Sequence, residues 1–185
     1  KSHVMGFSMG GIITQTFGLN YPQRTLSLVL CGTKAGGLHR ISSDPKVQMD
    51  LALIANPLPE MTERDRTIKL LYLLYSSEYV EANLASLVLD ETYSDYPTPD
   101  YTFMRQSQAI AGFDSYDRLP ELGDPVLVMS GTDDVLVTPE NSEILAERIP
   151  DAELVKIPGC GHGFLKQKTG EAVKHILGFL GRVDG

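Results

Sequence analysis

A chain of 185 residues suffices for one domain around a single core. Its 42% hydrophobic and 22% charged residues suit an ordinary globular protein, and apolar runs such as Leu26–Cys31 and Pro125–Met129 are strand-sized, too short to span a bilayer. With 16 Lys and Arg against 24 Asp and Glu, the formal net charge of −8 argues against nucleic acid or anionic membrane as partners.

In chain order, His3–Gly6 reads as a strand, Met9 to about Asn20 as a helix stopped by Tyr21-Pro22, and Leu26–Cys31 as a continuously apolar strand. Apolar strands joined by a helical crossover belong to a parallel sheet covered on both faces. From about Lys34 to Leu119 the strand runs give way to four short helical patterns. These are Val47–Ala55, Glu63–Tyr75, Glu78–Glu91, and one opened by Thr98-Pro99 that runs to about Ala111 with Gly112 as its stop. The α/β rhythm then returns. Val126–Met129 is a strand, Thr138-Pro139 caps a helix to about Arg148, Glu153–Ile157 is a strand, and about Gln167–Leu180 is the final helix. Cys31 and Cys160 fall at predicted strand ends, where a small buried thiol is the ordinary reading, and no metal-ligand spacing is present.

The most specific local signal is Gly6-Phe7-Ser8-Met9-Gly10. Gly-x-Ser-x-Gly between a strand and a helix is the pattern of a sharp turn that lifts a serine hydroxyl above the end of a sheet, with the next N–H, that of Met9, aimed at any oxyanion beside it. Residues doing chemistry in open parallel sheets collect on loops leaving the C-terminal strand ends. Three such loops carry Ser8, the pair Asp133-Asp134, and His162. A serine nucleophile needs a base to take its proton, and that base needs an acid to fix its tautomer. Either Asp133 or Asp134 can supply the acid. His3, His39 and His175 are expected to be structural or exposed. Leu71, Tyr72, Leu74, Tyr75, Tyr101 and Met104 could line a pocket, although helical spacing more often means packing.

The elbow, Tyr21-Pro22-Gln23-Arg24 ahead of Leu28-Val29-Leu30, the acid loop Pro125–Asp134, and Gly159-Cys160-Gly161-His162-Gly163-Phe164 resemble, in that order, the C-terminal two-thirds of an α/β-hydrolase. The similarity is greatest to enol-lactonases, carboxylesterases and haloperoxidase-like esterases. It implies an α/β fold, a partial hydrolase parallel sheet from the elbow strand onward, with residues 1–33 and 119–185 as core and 34–118 as an inserted helical cap. It implies a serine hydrolase of small carboxylic esters or lactones. Ser8 attacks, His162 moves the proton, Asp134 orients His162, Met9 N–H serves the oxyanion, and no metal or organic cofactor is required. Thioesterase, C–C hydrolase and perhydrolase chemistry stay open, as does a non-catalytic binding or interaction module on the same scaffold. Family members carry strands before the elbow, and a loop among them supplies a second oxyanion donor. Nothing in this chain matches them, so the expectation is a truncated form of weak activity. Its Val4–Gly6 strand would be a sheet edge, covered by homodimerisation or by a missing N-terminal half. A cytoplasmic location is expected.

Overall fold

The computed structural model describes residues 1–92 and 99–185. Four parallel strands, β1 (Ser2–Phe7), β2 (Thr25–Cys31), β3 (Val126–Gly131) and β4 (Glu153–Ile157), lie side by side in chain order. In the register, Val4 stands opposite Leu28 and Phe7 opposite Cys31, while Leu28 also faces Val126 and Gly131 faces Ile157. β1 is an edge strand, as expected, and β4 is the other edge.

The two central strands carry the apolar runs Leu28–Cys31 and Val126–Met129 because both of their faces are covered. Leu28, Leu30, Val126 and Val128 point to one face and pack with Leu119, Leu122, Leu145 and Ile149. On that side lie α1 (Met9–Asn20) and α6 (Pro139–Arg148), which step the chain from β1 to β2 and from β3 to β4. Val29, Cys31, Leu127 and Met129 point the other way, onto Phe164, Ala172 and Phe179. Those residues come from a single turn, α7 (Phe164–Gln167), and from α8 (Thr169–Asp184). Each Val, Leu, Ile, Met or Phe among them, when fully buried, contributes about 1.5–3 kcal/mol of transfer free energy.

Between β2 and β3 come α2 (Pro45–Ala55), α3 (Glu63–Leu74), α4 (Ser77–Thr92) and α5 (Asp100–Gly112). They carry a cluster of their own: Leu71, Tyr75, Val80, Leu87 and Val88. Caps set their starts. Asp44 accepts from Lys46 N–H ahead of α2, and Thr62 with Asp65 forms a reciprocal capping box at α3.

Several predicted boundaries shift. Pro99 occupies the N-cap of α5 rather than its first turn, and Thr98 lies outside the described residues. Gly112 is the last helical residue, and Phe113 closes the helix in an extended conformation. Thr138 precedes α6, but its side chain makes no capping bond to the backbone. The final helix is split at Lys168, which leaves helical geometry (φ −133°, ψ 55°) while its ammonium donates to Pro158 O at 2.9 Å.

Gly6 marks where strand and helix come closest. A Cβ built there would sit 2.0 Å from Gly10 O, whereas one on Gly10 would meet nothing within 4 Å. Gly6→Ala is therefore expected to destabilise by about 1–3 kcal/mol or more through overpacking. Gly10→Ala, in open helix, should stabilise by about 0.4–1 kcal/mol. Urea melts of the two variants beside the parent chain check both signs.

Candidate active site

Ser8 sits between β1 and α1 with φ 54° and ψ −116°. For a non-glycine residue that conformation costs of the order of 1–3 kcal/mol and persists only where the surroundings enforce it. Two bonds do so: Ser8 N–H donates to Cys31 O at 2.8 Å, and Gly11 N–H donates to Ser8 O at 2.9 Å. The first carries the β1–β2 ladder through to the turn itself. Met9 begins α1, and its N–H has no acceptor among the described residues.

The acid loop follows β3 and the histidine loop follows β4, and the two are laced together. Asp133 N–H donates to Cys160 O at 2.8 Å, and Gly159 N–H donates to Thr132 Oγ1 at 2.9 Å. Gly131 permits this approach, since a Cβ there would lie 2.2 Å from Cys160 O. Asp134 is 2% exposed and has a partner on each oxygen. Oδ1 accepts from Leu136 N–H and Val137 N–H, both at 2.9 Å, and Oδ2 stands 2.7 Å from His162 Nδ1. A carboxylate acceptor at Nδ1 places the ring proton there and leaves Nε2 as the acceptor. His162 is itself buried, its ring centroid 4.7 Å from that of Phe7. Of the two candidate acids, the structure brings Asp134 to the histidine, whereas Asp133 turns to Thr132 Oγ1 at 2.7 Å.

Ser8, Met9 and His162 open on one cavity of about 360 Å³, within the usual range for small-molecule sites. Ile12, Leu136 and Val137 give it apolar walls, and Leu51 of α2 and Ile110 of α5 reach it from the helical segment. The aromatic and apolar candidates singled out in the sequence do not line this cavity. Leu71 and Tyr75 are core of the helical cluster, Leu74 packs against it, and Tyr72, Tyr101 and Met104 are exposed. The helical segment is seated on the histidine loop. Gly163 N–H donates to Leu74 O at 2.7 Å, and Gln167 Oε1 accepts from Gly161 N–H at 2.8 Å. The same Gln167 donates to Ser76 Oγ at 2.9 Å. Sequence periodicity carries no sign of these bonds.

The other histidines stand apart from the cavity. His3 bonds Ser27 Oγ and Asp184, and His39 stacks on Tyr116 with centroids 3.6 Å apart. Among the described residues no group of three His, Cys, Asp or Glu side chains could hold a metal ion, and no helix is long and apolar enough to cross a membrane.

Residues 1–169 match the family model of the alpha/beta hydrolase fold, and the chain belongs to that family. RutD of Caulobacter sp. (strain K31), a candidate carbamate hydrolase, is 32% identical over 184 residues, covering 97% of this chain and 65% of its own. A poly(3-hydroxyalkanoate) depolymerase from Ectopseudomonas oleovorans is 31% identical over 179 residues, covering 96% and 60%. Among solved structures, the enol-lactonase from Burkholderia xenovorans LB400 superposes with a TM-score of 0.77 at 26% identity, over 95% of this chain and 64% of that one. The chain spans 60–67% of the length of the first curated relatives it matches.

Both cysteines are free and buried. Burial pushes the Cys31 thiol up to about 12 and raises that of Cys160 as well. The unfolded chain ionises these thiols near 9, so their contribution to stability is complete below that pH. It is lost as pH climbs from about 9 towards 12. Accordingly, the native chain at pH 8 should react with a thiol reagent such as DTNB far more slowly than the urea-unfolded chain, and its melting temperature should fall above pH 9. Prompt titration of both thiols in the native state would contradict the burial.

Proposed function

We propose that this site is that of a serine hydrolase which cleaves a small carboxylic ester or lactone through an acyl-Ser8 intermediate. The observation that carries the reading is the convergence on one cavity of Ser8, in its enforced turn, and His162, held at Nδ1 by Asp134 at 2.7 Å. In this reading Ser8 Oγ attacks the carbonyl carbon while His162 Nε2 takes its proton. Met9 N–H donates to the oxyanion as the tetrahedral intermediate forms. Collapse expels the alcohol, protonated by His162, and a water activated by the same nitrogen then releases the acid and restores Ser8. Asp134 holds the ring in the required tautomer and stabilises its cation. The Ser8 hydroxyl makes no hydrogen bond among the described residues, and such contacts commonly tighten only when substrate is bound. The relatives' names support carbonyl hydrolysis: a carbamate, a polyester and an enol-lactone are all opened at an acyl carbon.

The same reading assigns residues 1–33 and 119–185 to a hydrolase core and 34–118 to a cap. Leu51 and Ile110 in the cavity wall support this, because the cap then shapes the pocket over Ser8. The free edge of β1, with Met5 and Phe7 partly exposed, suits pairing with a strand from a second copy or from further chain such as the longer relatives carry. The buried, unpaired thiols suit a reducing compartment such as the cytoplasm.

A fluorophosphonate probe should label the chain at Ser8, and Ser8→Ala should abolish labelling. Asp134→Asn should lower ester turnover by about 10⁴, as tautomer loss does in comparable triads, whereas Asp133→Asn should leave it within about threefold. Labelling that survives Ser8→Ala would overturn the assignment. A folded chain that neither reacts nor turns over ester would instead be a binding module.

A further inference from the structure

Among the described residues, the wall of the cavity over Ser8 carries one charged side chain besides His162, and in a protein of net charge −8 that charge is positive: Lys34. Its backbone is clamped. Gln15, fully buried in α1, donates from Nε2 to Lys34 O and to Gly11 O, both at 3.2 Å, while its Oε1 accepts from Ser115 Oγ at 2.8 Å. Ser115 N–H in turn donates to Ala35 O at 2.9 Å. This network fixes the chain at Lys34 relative to the helix that begins at Met9.

The lysine itself is half-buried, and its ammonium has neither an ion pair nor a hydrogen-bond acceptor among the described residues. Burial lowers its pKa, and the positive charge of Arg40 lowers it further. Next to it, Thr33 also borders the cavity, its side chain packed against Gly11 of α1. A cation drawn out of water beside a second cation is costly unless an anion meets it. Resting on the hydrolase reading above, we propose that the substrate carries a carboxylate besides the carbonyl that Ser8 attacks, and that Lys34 binds it. The substrate class is then a monoanionic half-ester or an acid-bearing lactone small enough for about 360 Å³. An ammonium acts here as a point charge with rotatable donors, so the selection is for charge and reach rather than for a bidentate shape.

The test uses Ser8→Ala protein, which binds without turnover, titrated by calorimetry with monomethyl glutarate and with its neutral counterpart dimethyl glutarate. The monoanion is expected to bind about tenfold tighter or more, and that ratio should shrink as salt is raised. Adding Lys34→Met or Lys34→Gln should bring the ratio near one, while Lys34→Arg should keep most of it; thermal melts confirm that each variant is folded. Equal affinities with Lys34 present, a ratio unchanged in Lys34→Met, or binding of neither ester would overturn the proposal. Fluorophosphonate labelling of the chain with Ser8 intact reports on the hydrolase reading alone. Labelling without the anion preference defeats only the role of Lys34, and the preference without labelling defeats only the hydrolysis.

Discussion

The geometry of the whole site depends on one crowded turn. β1 must end, reverse and become α1 within three residues, and it can do so only because Gly6 has no side chain to strike Gly10 O. Ser8 absorbs the bend at φ 54°, and its N–H reaches across to Cys31 O, so the strain is held by the neighbouring strand and not by the turn alone. β2 is in turn held by a core on each face, which makes the serine's position a property of the entire sheet. Rigid support of this kind lets a strained residue persist in a domain whose net stability is modest.

A second constraint brings the remaining groups to that turn. Parallel strands all end on the same side, so loops after β1, β3 and β4 meet there regardless of their distance along the chain. The acid and histidine loops are then bound to each other through Asp133 N–H, Thr132 Oγ1 and the missing side chain of Gly131. Asp134 reaches His162 with its other oxygen already taken by two backbone donors, an arrangement that fixes the carboxylate before it orients the ring. The helical segment rests on the same loop through Leu74 O and Gln167, so pocket wall and histidine share a foundation.

Much of this was legible in the residue order. The apolar runs Leu28–Cys31 and Val126–Met129 announce a covered parallel sheet, because successive apolar residues point to both faces of a strand and leave neither wet. The Gly-x-Ser-x-Gly turn and the later acid and histidine loops mark the candidate site, since glycines ease the tight turn and parallel strands deliver their following loops to one end of the sheet. Helix ends were read less well. Lys168 breaks the last helix although the nearest glycine, Gly170, is itself helical, and the Asp44 and Thr62 caps lie in stretches whose polar residues suit many roles. The pocket-facing residues of the helical segment were missed for a different reason. Period alone shows that a helix has an apolar face, but not which neighbour that face meets.

The sequence by itself determined the family-level fold and the order of elements, which follow from local propensity and short-range turn chemistry, and it singled out Ser8 and His162 as candidates. Tertiary structure decided what depends on approach between distant segments. It brought Asp134 rather than Asp133 to His162, put Leu51 and Ile110 rather than the tyrosines over Ser8, and placed in that cavity a lysine with no counter-ion among the described residues. The physical reason is the same in each case. A side chain's direction is set by packing and hydrogen bonds to residues far away in the chain, as Gln15 of α1 does for the backbone of Lys34.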